Sequence, residues 1–129
     1  MTEINRLQLA LVGTSFRQVG FEELGRLTLG PENTEARRLL YEAFGADELV
    51  YLATCNRVEC YLAAPDLPDP QALRECLMDF FRQRGVSTQA DWFTVRTGGA
   101  VIQHLFAVAS SLDSLVAGET DIVLSLIHI

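Results

Sequence analysis

From Glu48 to Ala64, apolar and polar positions alternate on both sides of a short break. Val50 and Leu52 share one face of an extended chain, with Tyr51 and Ala53 on the other. Beyond Ala53-Thr54-Cys55-Asn56-Arg57, Val58, Cys60 and Leu62 share a face opposite Glu59 and Tyr61. Period-two alternation in residues that favour strands, broken by a few polar or small ones, predicts strands near 48–53 and 58–64 joined by a tight hairpin. Upstream, the apolar run Leu7 to Val12 ends at Gly13 and predicts a buried strand, with Thr14 to Gly20 as a loop. Phe21 to Leu27 suits a short helix that stops near Gly30-Pro31. Pro31-Glu32 then opens a second helix, since proline and acid suit a first turn. Its apolar face is Ala36, Leu39, Leu40 and Phe44, and Gly45 ends it.

Downstream of the hairpin, Pro65 to Pro70 is a proline-rich connector that cannot continue a strand. Gln71 to Arg84 predicts an amphipathic helix with Leu73, Cys76, Leu77 and Phe80 on one stripe. Trp92 to Thr97 predicts a fourth strand, and Gly98-Gly99 leads into a helix over about 100–109, with Val101, Leu105 and Val108 on one side. The mixed stretch Ser110 to Ile122 reads as a helix end followed by a new helix capped at Asp113 or Ser114. The order β-α-β-β-α-β with a trailing C-terminal helix is the split-βαβ pattern. It predicts an α+β, ferredoxin-like fold: a four-stranded antiparallel sheet with helices packed on one face. Another open α+β sandwich with the same elements is the alternative.

Composition narrows the class. A chain of 129 residues that is 49% hydrophobic is sized for one domain with a substantial core. No apolar run approaches the roughly 20 residues needed to span a bilayer, and Met1 to Ala10 has neither the basic start nor the cleavage site of a secretory signal. A cytoplasmic protein without a membrane partner is the expectation. The net charge is -7, and all ten basic residues are arginine. That balance argues against this segment alone gripping nucleic acid, because phosphate binding needs a basic surface.

Three cysteines, at 55, 60 and 76, match no disulfide framework and no zinc spacing. Cys60 and Cys76 fall on apolar faces and read as small buried hydrophobes. Cys55 sits in the hairpin turn with Thr54, Asn56 and Arg57 beside it. Exposure and a neighbouring cation are what a thiol needs to become a thiolate. The same residue also reads as a small side chain in a tight loop. His104 is open to two readings as well, a structural histidine or a catalytic one.

Thr54-Cys55-Asn56-Arg57 with Glu59 and Tyr61, followed by His104-Leu105-Phe106, Val108-Ala109-Ser110, Leu112-Asp113-Ser114 and Gly118-Glu119, resembles the N-terminal catalytic domain of glutamyl-tRNA reductase. The resemblance covers about residues 7 to 123. It implies an NADPH-dependent oxidoreductase of tetrapyrrole (porphyrin) biosynthesis that reduces glutamyl-tRNA to glutamate-1-semialdehyde through a thioester on Cys55. It further implies His104 as a catalytic residue, and Thr54, Asn56, Arg57, Ser114, Glu119, Thr120 and Asp121 as substrate-binding positions. Arg57 would pair with the substrate carboxylate and Glu119 with its ammonium. The implied partners are glutamyl-tRNA as substrate, a second copy of the parent enzyme through a C-terminal dimerisation domain, and the aminomutase that takes the aldehyde.

The chain departs from the family pattern in three places. After the first strand the family carries Gly-x-Asn-His-x-x-Ala-Pro, where this sequence has Gly13 followed by Thr14-Ser15-Phe16-Arg17-Gln18-Val19-Gly20. The family's Glu-Pro-Gln is Glu119-Thr120-Asp121 here, which places a negative charge where an amide is expected. No Gly-x-Gly-x-x-Gly occurs, so NADPH is expected on a domain absent from this chain. The expected division is a catalytic domain at 1–123 and a non-native or truncated tail at 124–129. The competing functional class is a non-catalytic ferredoxin-like module that binds a small ligand or a partner chain.

Overall fold

A computed structural model describes residues 7–115, with side chains described through Ser110. Nine elements follow one another. They are β1 (Gln8–Ser15), α1 (Phe21–Arg26), α2 (Thr34–Phe44), β2 (Glu48–Ala53), β3 (Arg57–Ala64), α3 (Pro70–Gln83), a short 3₁₀ turn (Ala90–Trp92), β4 (Thr94–Thr97) and α4 (Gly99–Leu115). The sheet order is β2-β3-β1-β4, with every neighbouring pair antiparallel. This is the ferredoxin-like arrangement that the element order predicts. Each pair of interior strands brings its apolar positions into register. Val58 faces Ala53 and Cys60 faces Tyr51 across β2, while Val12 faces Cys60 across β1.

One face of the sheet carries Ala10, Val12, Val58, Cys60, Leu62 and Ala64 into a core with Leu24, Leu40, Leu73, Leu77 and Phe81 of the helices. Fully burying one such side chain is worth roughly 1.5–3 kcal/mol, so this layer supplies most of the driving force for folding. The trailing helix α4 packs on the opposite face. There Val101, Leu105 and Val108 meet Leu11, Leu52 and Tyr61. The sheet is therefore covered on both sides. The end of its second face, beyond the apolar part of α4, is where polar groups gather.

Five local expectations need correction. The first strand does not stop at Val12: it runs through Gly13 and Thr14 to Ser15, pairing with β3 as far as Arg57. The second helix starts at Thr34, because Asn33 Oδ1 accepts from the Ala36 N–H and outcompetes Pro31 as the start. The fourth strand begins at Thr94, since Ala90–Trp92 form a 3₁₀ turn. The last helix is unbroken from Gly99 to Leu115, so no cap interrupts it at Asp113 or Ser114. Finally, Cys76 packs against the core but is only half-buried, at the α2–α3 seam, where its thiol donates to the Ala43 carbonyl at 3.3 Å. Among the described residues no helix is long and apolar enough to cross a membrane.

Candidate functional site

The hairpin turn between β2 and β3 is held by one side chain. Thr54 Oγ1 accepts from the backbone N–H groups of Asn56 (3.0 Å) and Arg57 (3.2 Å). The Thr54 N–H donates to the Arg57 carbonyl at 2.8 Å and closes the loop. Cys55 sits at the tip and is exposed. The other two thiols are unsuited to nucleophilic work. Burial pushes the Cys60 thiol far above its usual range, with the charges of Cys76 and Glu59 adding to the effect. Burial, and then Asp79, also raise Cys76. Both stay protonated near neutral pH, where a thiol is a poor nucleophile.

Immediately after the turn, β3 carries Arg57, Glu59 and Tyr61 on the second face of the sheet. Glu59 is only 4% exposed, and an isolated buried carboxylate is costly. Three donors surround it. The His104 Nε2–H donates to Glu59 Oε2 at 2.5 Å, the Tyr61 hydroxyl to Oε1 at 2.8 Å, and Arg57 Nη1 to Oε2 at 3.4 Å. Burial alone would raise the Glu59 pKa. The hydrogen bond and charge of His104, with help from Tyr61 and Arg57, outweigh it and hold the carboxyl below its usual range. Tyr61 moves the other way: burial and the Glu59 charge keep its phenol protonated, which lets it donate.

The carboxylate has room because its cross-strand partner is a glycine. Gly13 pairs with Glu59, and a Cβ there would lie 2.6 Å from the Val58 carbonyl oxygen and 2.9 Å from Glu59 Cα and Cγ. Gly13 also pairs with Thr94 on its other side, so its bare backbone forms the floor of a cleft. That cleft has a volume of about 130 Å³, and its walls include Arg57, Glu59, Thr94, Arg96 and His104. The loop Phe16 to Gln18 closes one end. Gln18 Nε2 donates to Thr94 Oγ1 at 2.7 Å, and the Phe16 N–H donates to the Asn56 carbonyl at 2.9 Å, tying this loop to the Cys55 turn.

Of the residues singled out in the sequence, Thr54, Cys55, Asn56 and Arg57 form the turn, and Arg57 and His104 line the cleft. Ser114 lies on the last turn of α4, its side chain outside the described residues. Glu119, Thr120, Asp121 and the tail at 124–129 lie outside the described residues altogether. In the sequence Glu59 stands out only as part of a motif, yet in the fold it is the hub of the polar cluster. An acid set in the apolar run Val58 to Leu62, opposite a glycine, is the signal that marks it. Thr94, Arg96 and Gln18 carried no sequence signal, because only the strand register brings them to the cleft. Among the described residues, no three His, Cys, Asp or Glu side chains are grouped as a metal site would need.

Residues 12–126 match the family model described as glutamyl-tRNAGlu reductase, N-terminal domain. A glutamyl-tRNA reductase of Myxococcus xanthus is 37% identical over 116 residues, covering 90% of this chain and 25% of that protein. One of Deinococcus radiodurans is also 37% identical over 116 residues, covering 90% of this chain and 31% of the relative. The solved structure of glutamyl-tRNA reductase from Methanopyrus kandleri superposes with a TM-score of 0.60 at 32% identity, over 88% of this chain and 25% of that one. The chain thus spans about a quarter of the length of the Myxococcus relative it matches. With the family model covering most of its length and the ferredoxin-like sheet common to both structures, the chain belongs to the glutamyl-tRNA reductase family and corresponds to its N-terminal domain.

Proposed function

We propose that this chain is the acyl-accepting part of a glutamyl-tRNA reductase. The observation that carries the reading is the exposed Cys55 at a turn leading directly into the Arg57–Glu59–His104 cluster. In the proposed reaction the Cys55 sulfur attacks the carbonyl carbon of the glutamyl ester. The C–S bond forms, the ester C–O bond breaks, and the ribose oxygen leaves with the proton that the thiol gave up. An aminoacyl ester is an activated acyl donor, and a thiolate is a strong nucleophile towards it. Arg57 is held only loosely by Glu59, at 3.4 Å, so its remaining N–H groups are available to the substrate's side-chain carboxylate as a planar fork. His104 is fixed through Nε2 by Glu59; in its neutral form the Nδ1 lone pair is then free, and the proposal gives that nitrogen the thiol proton to pass to the leaving oxygen. Thr54 and Asn56 shape the turn. Ser114, Glu119, Thr120 and Asp121 remain assigned to the glutamyl group.

The second half of the family reaction needs NADPH. The described sheet is antiparallel throughout and has no glycine-rich turn between a parallel strand and a helix, so these residues do not fit a dinucleotide. The hydride step is therefore assigned to a domain of the parent enzyme beyond this chain. The dimer and the handover to an aminomutase are assigned to that parent as well. Alone, the chain should become acylated and then slowly lose glutamate as water attacks the thioester. The test follows deacylation of glutamyl-tRNA and formation of aldehyde, with wild type beside Cys55→Ser. Deacylation that depends on Cys55, without aldehyde, is the expected result. Deacylation that survives Cys55→Ser unchanged, or none at all, would refute the reading in favour of a non-catalytic module.

A further inference from the structure

Beside the cleft lies a feature that the chemistry at Cys55 leaves unused. Phe16 and Phe21 stack with centroids 5.4 Å apart and ring planes only 3° from parallel. Both are exposed, Phe16 by 40% and Phe21 by 64%. Two stacked exposed rings make a small contiguous apolar patch, and such patches rimmed by polar residues mark binding sites. The Arg17 guanidinium sits 5.8 Å from the Phe16 ring centre, and Phe16 itself lines the cleft while its N–H grips the Asn56 carbonyl. The cleft beside this platform is richer in arginine than the chain as a whole. The net charge is -7, yet among the described residues Arg17, Arg57 and Arg96 line the cleft with Glu59 as its one carboxylate. On α1, which Phe21 opens, Glu22 is paired with Arg26 at 2.9 Å, while Glu23 adds one acidic group.

We propose that Phe16 and Phe21 form a stacking seat for the terminal nucleobase of the acylated RNA, with Arg17 placed for the adjoining phosphate. This rests on the acyl-transfer reading above. In an aminoacyl ester of RNA, the reacting carbonyl and the last base hang from the same ribose. A base must therefore come to rest within one sugar of Cys55, and the Phe16–Phe21 platform, tied to the Cys55 turn through the Asn56 carbonyl, offers a flat apolar surface beside that turn. Stacking on an aromatic ring tolerates any base and gains little from hydrogen bonding. The seat would therefore anchor the end of the chain and leave RNA identity to be read elsewhere.

The experiment titrates the 129-residue chain by NMR with an RNA trinucleotide ending in adenosine, and with the same trinucleotide whose last ribose lacks a base. Wild type should prefer the intact ligand by about tenfold, in line with the loss of one aromatic–base stack. Phe16→Ala and Phe21→Ala should bring the two ligands level, and Phe21→Trp should keep or increase the preference. Both rings are exposed, so folding is not at stake, and dispersed amide spectra of the variants check this. Equal binding of the two ligands by wild type, no binding of either, or a preference that survives both alanine variants would overturn the proposal. Turnover of glutamate methyl ester, which carries no nucleoside, is measured alongside. Its absence in wild type would overturn the acyl-transfer reading, while the ratio of the two RNA ligands judges the seat by itself.

Discussion

Replacing Glu59 with glutamine keeps the shape of the side chain and removes its charge, which isolates what the buried carboxylate does. In wild type it accepts from His104 at 2.5 Å, Tyr61 at 2.8 Å and Arg57 at 3.4 Å, and it is 4% exposed. Hydrogen bonds to a charged group contribute about 1.5–3 kcal/mol, and glutamine can satisfy at most part of the set because one of its arms is a donor facing donors. The expected cost at neutral pH is therefore about 1.5–3 kcal/mol, or roughly 4 °C of Tm per kcal/mol for a chain of this size. The pH dependence supplies a second signature. The Glu59 pKa is lowered in the folded state, so the unfolded chain binds the proton more tightly. The stability from this group is complete above the unfolded-state pKa of about 4.3 and is lost as pH falls through the folded value. The gap between wild type and Glu59→Gln should accordingly narrow on acidification below about pH 4.5. Urea unfolding of both proteins from pH 7 to pH 3 measures this. A variant as stable as wild type at pH 7, or a gap that stays constant down to pH 3, would refute the reasoning.

Gly13→Ala should destabilise the fold by about 1–3 kcal/mol, because the new Cβ would meet β3 backbone at 2.6 Å and 2.9 Å that cannot swing aside; thermal unfolding, and loss of the His104 ring shifts seen in wild type, would register it. Tyr51→Phe should cost about 1–3 kcal/mol, since its hydroxyl donates to Leu27 O at 2.7 Å and accepts from Leu29 N–H at 2.9 Å, and both groups belong to buried residues. Thr54→Val should cost about 1 kcal/mol and loosen the Cys55 turn, whereas Thr54→Ser should stay near wild type, because only the oxygen that holds Asn56 and Arg57 matters; urea midpoints of the two variants decide it.

Strand pairing was legible because alternation in β2 and β3 is enforced by burial: a one-residue slip would turn Val58, Cys60 and Leu62 out of the core. The end of β1 was not, because Gly13-Thr14-Ser15 has the composition of a loop. The strand persists there since Gly13 is needed where Glu59 crosses it, a demand set by the neighbouring strand. The start of α2 turned on Asn33, whose side chain caps more effectively than the proline two residues earlier. Helix α4 continues through the local break signals at Ser110 to Ser114, as an extension of the stripe Val101, Leu105 and Val108 that packs on the sheet. The turn bearing Cys55 could be read as a candidate site from its neighbours alone. The pairing of His104 with Glu59 could not, because the two lie 45 residues apart and meet only through the packing of α4 over β3.

In the proposed reaction Cys55 accepts the glutamyl group. Intact-mass spectrometry of the chain, quenched in acid shortly after mixing with glutamyl-tRNA and compared with Cys55→Ser, tests it most directly. Wild type should carry a single glutamyl adduct that maps to Cys55, is released by hydroxylamine and is absent from Cys55→Ser. No adduct on wild type, or one that maps to Cys60 or Cys76 or persists in Cys55→Ser, would contradict it.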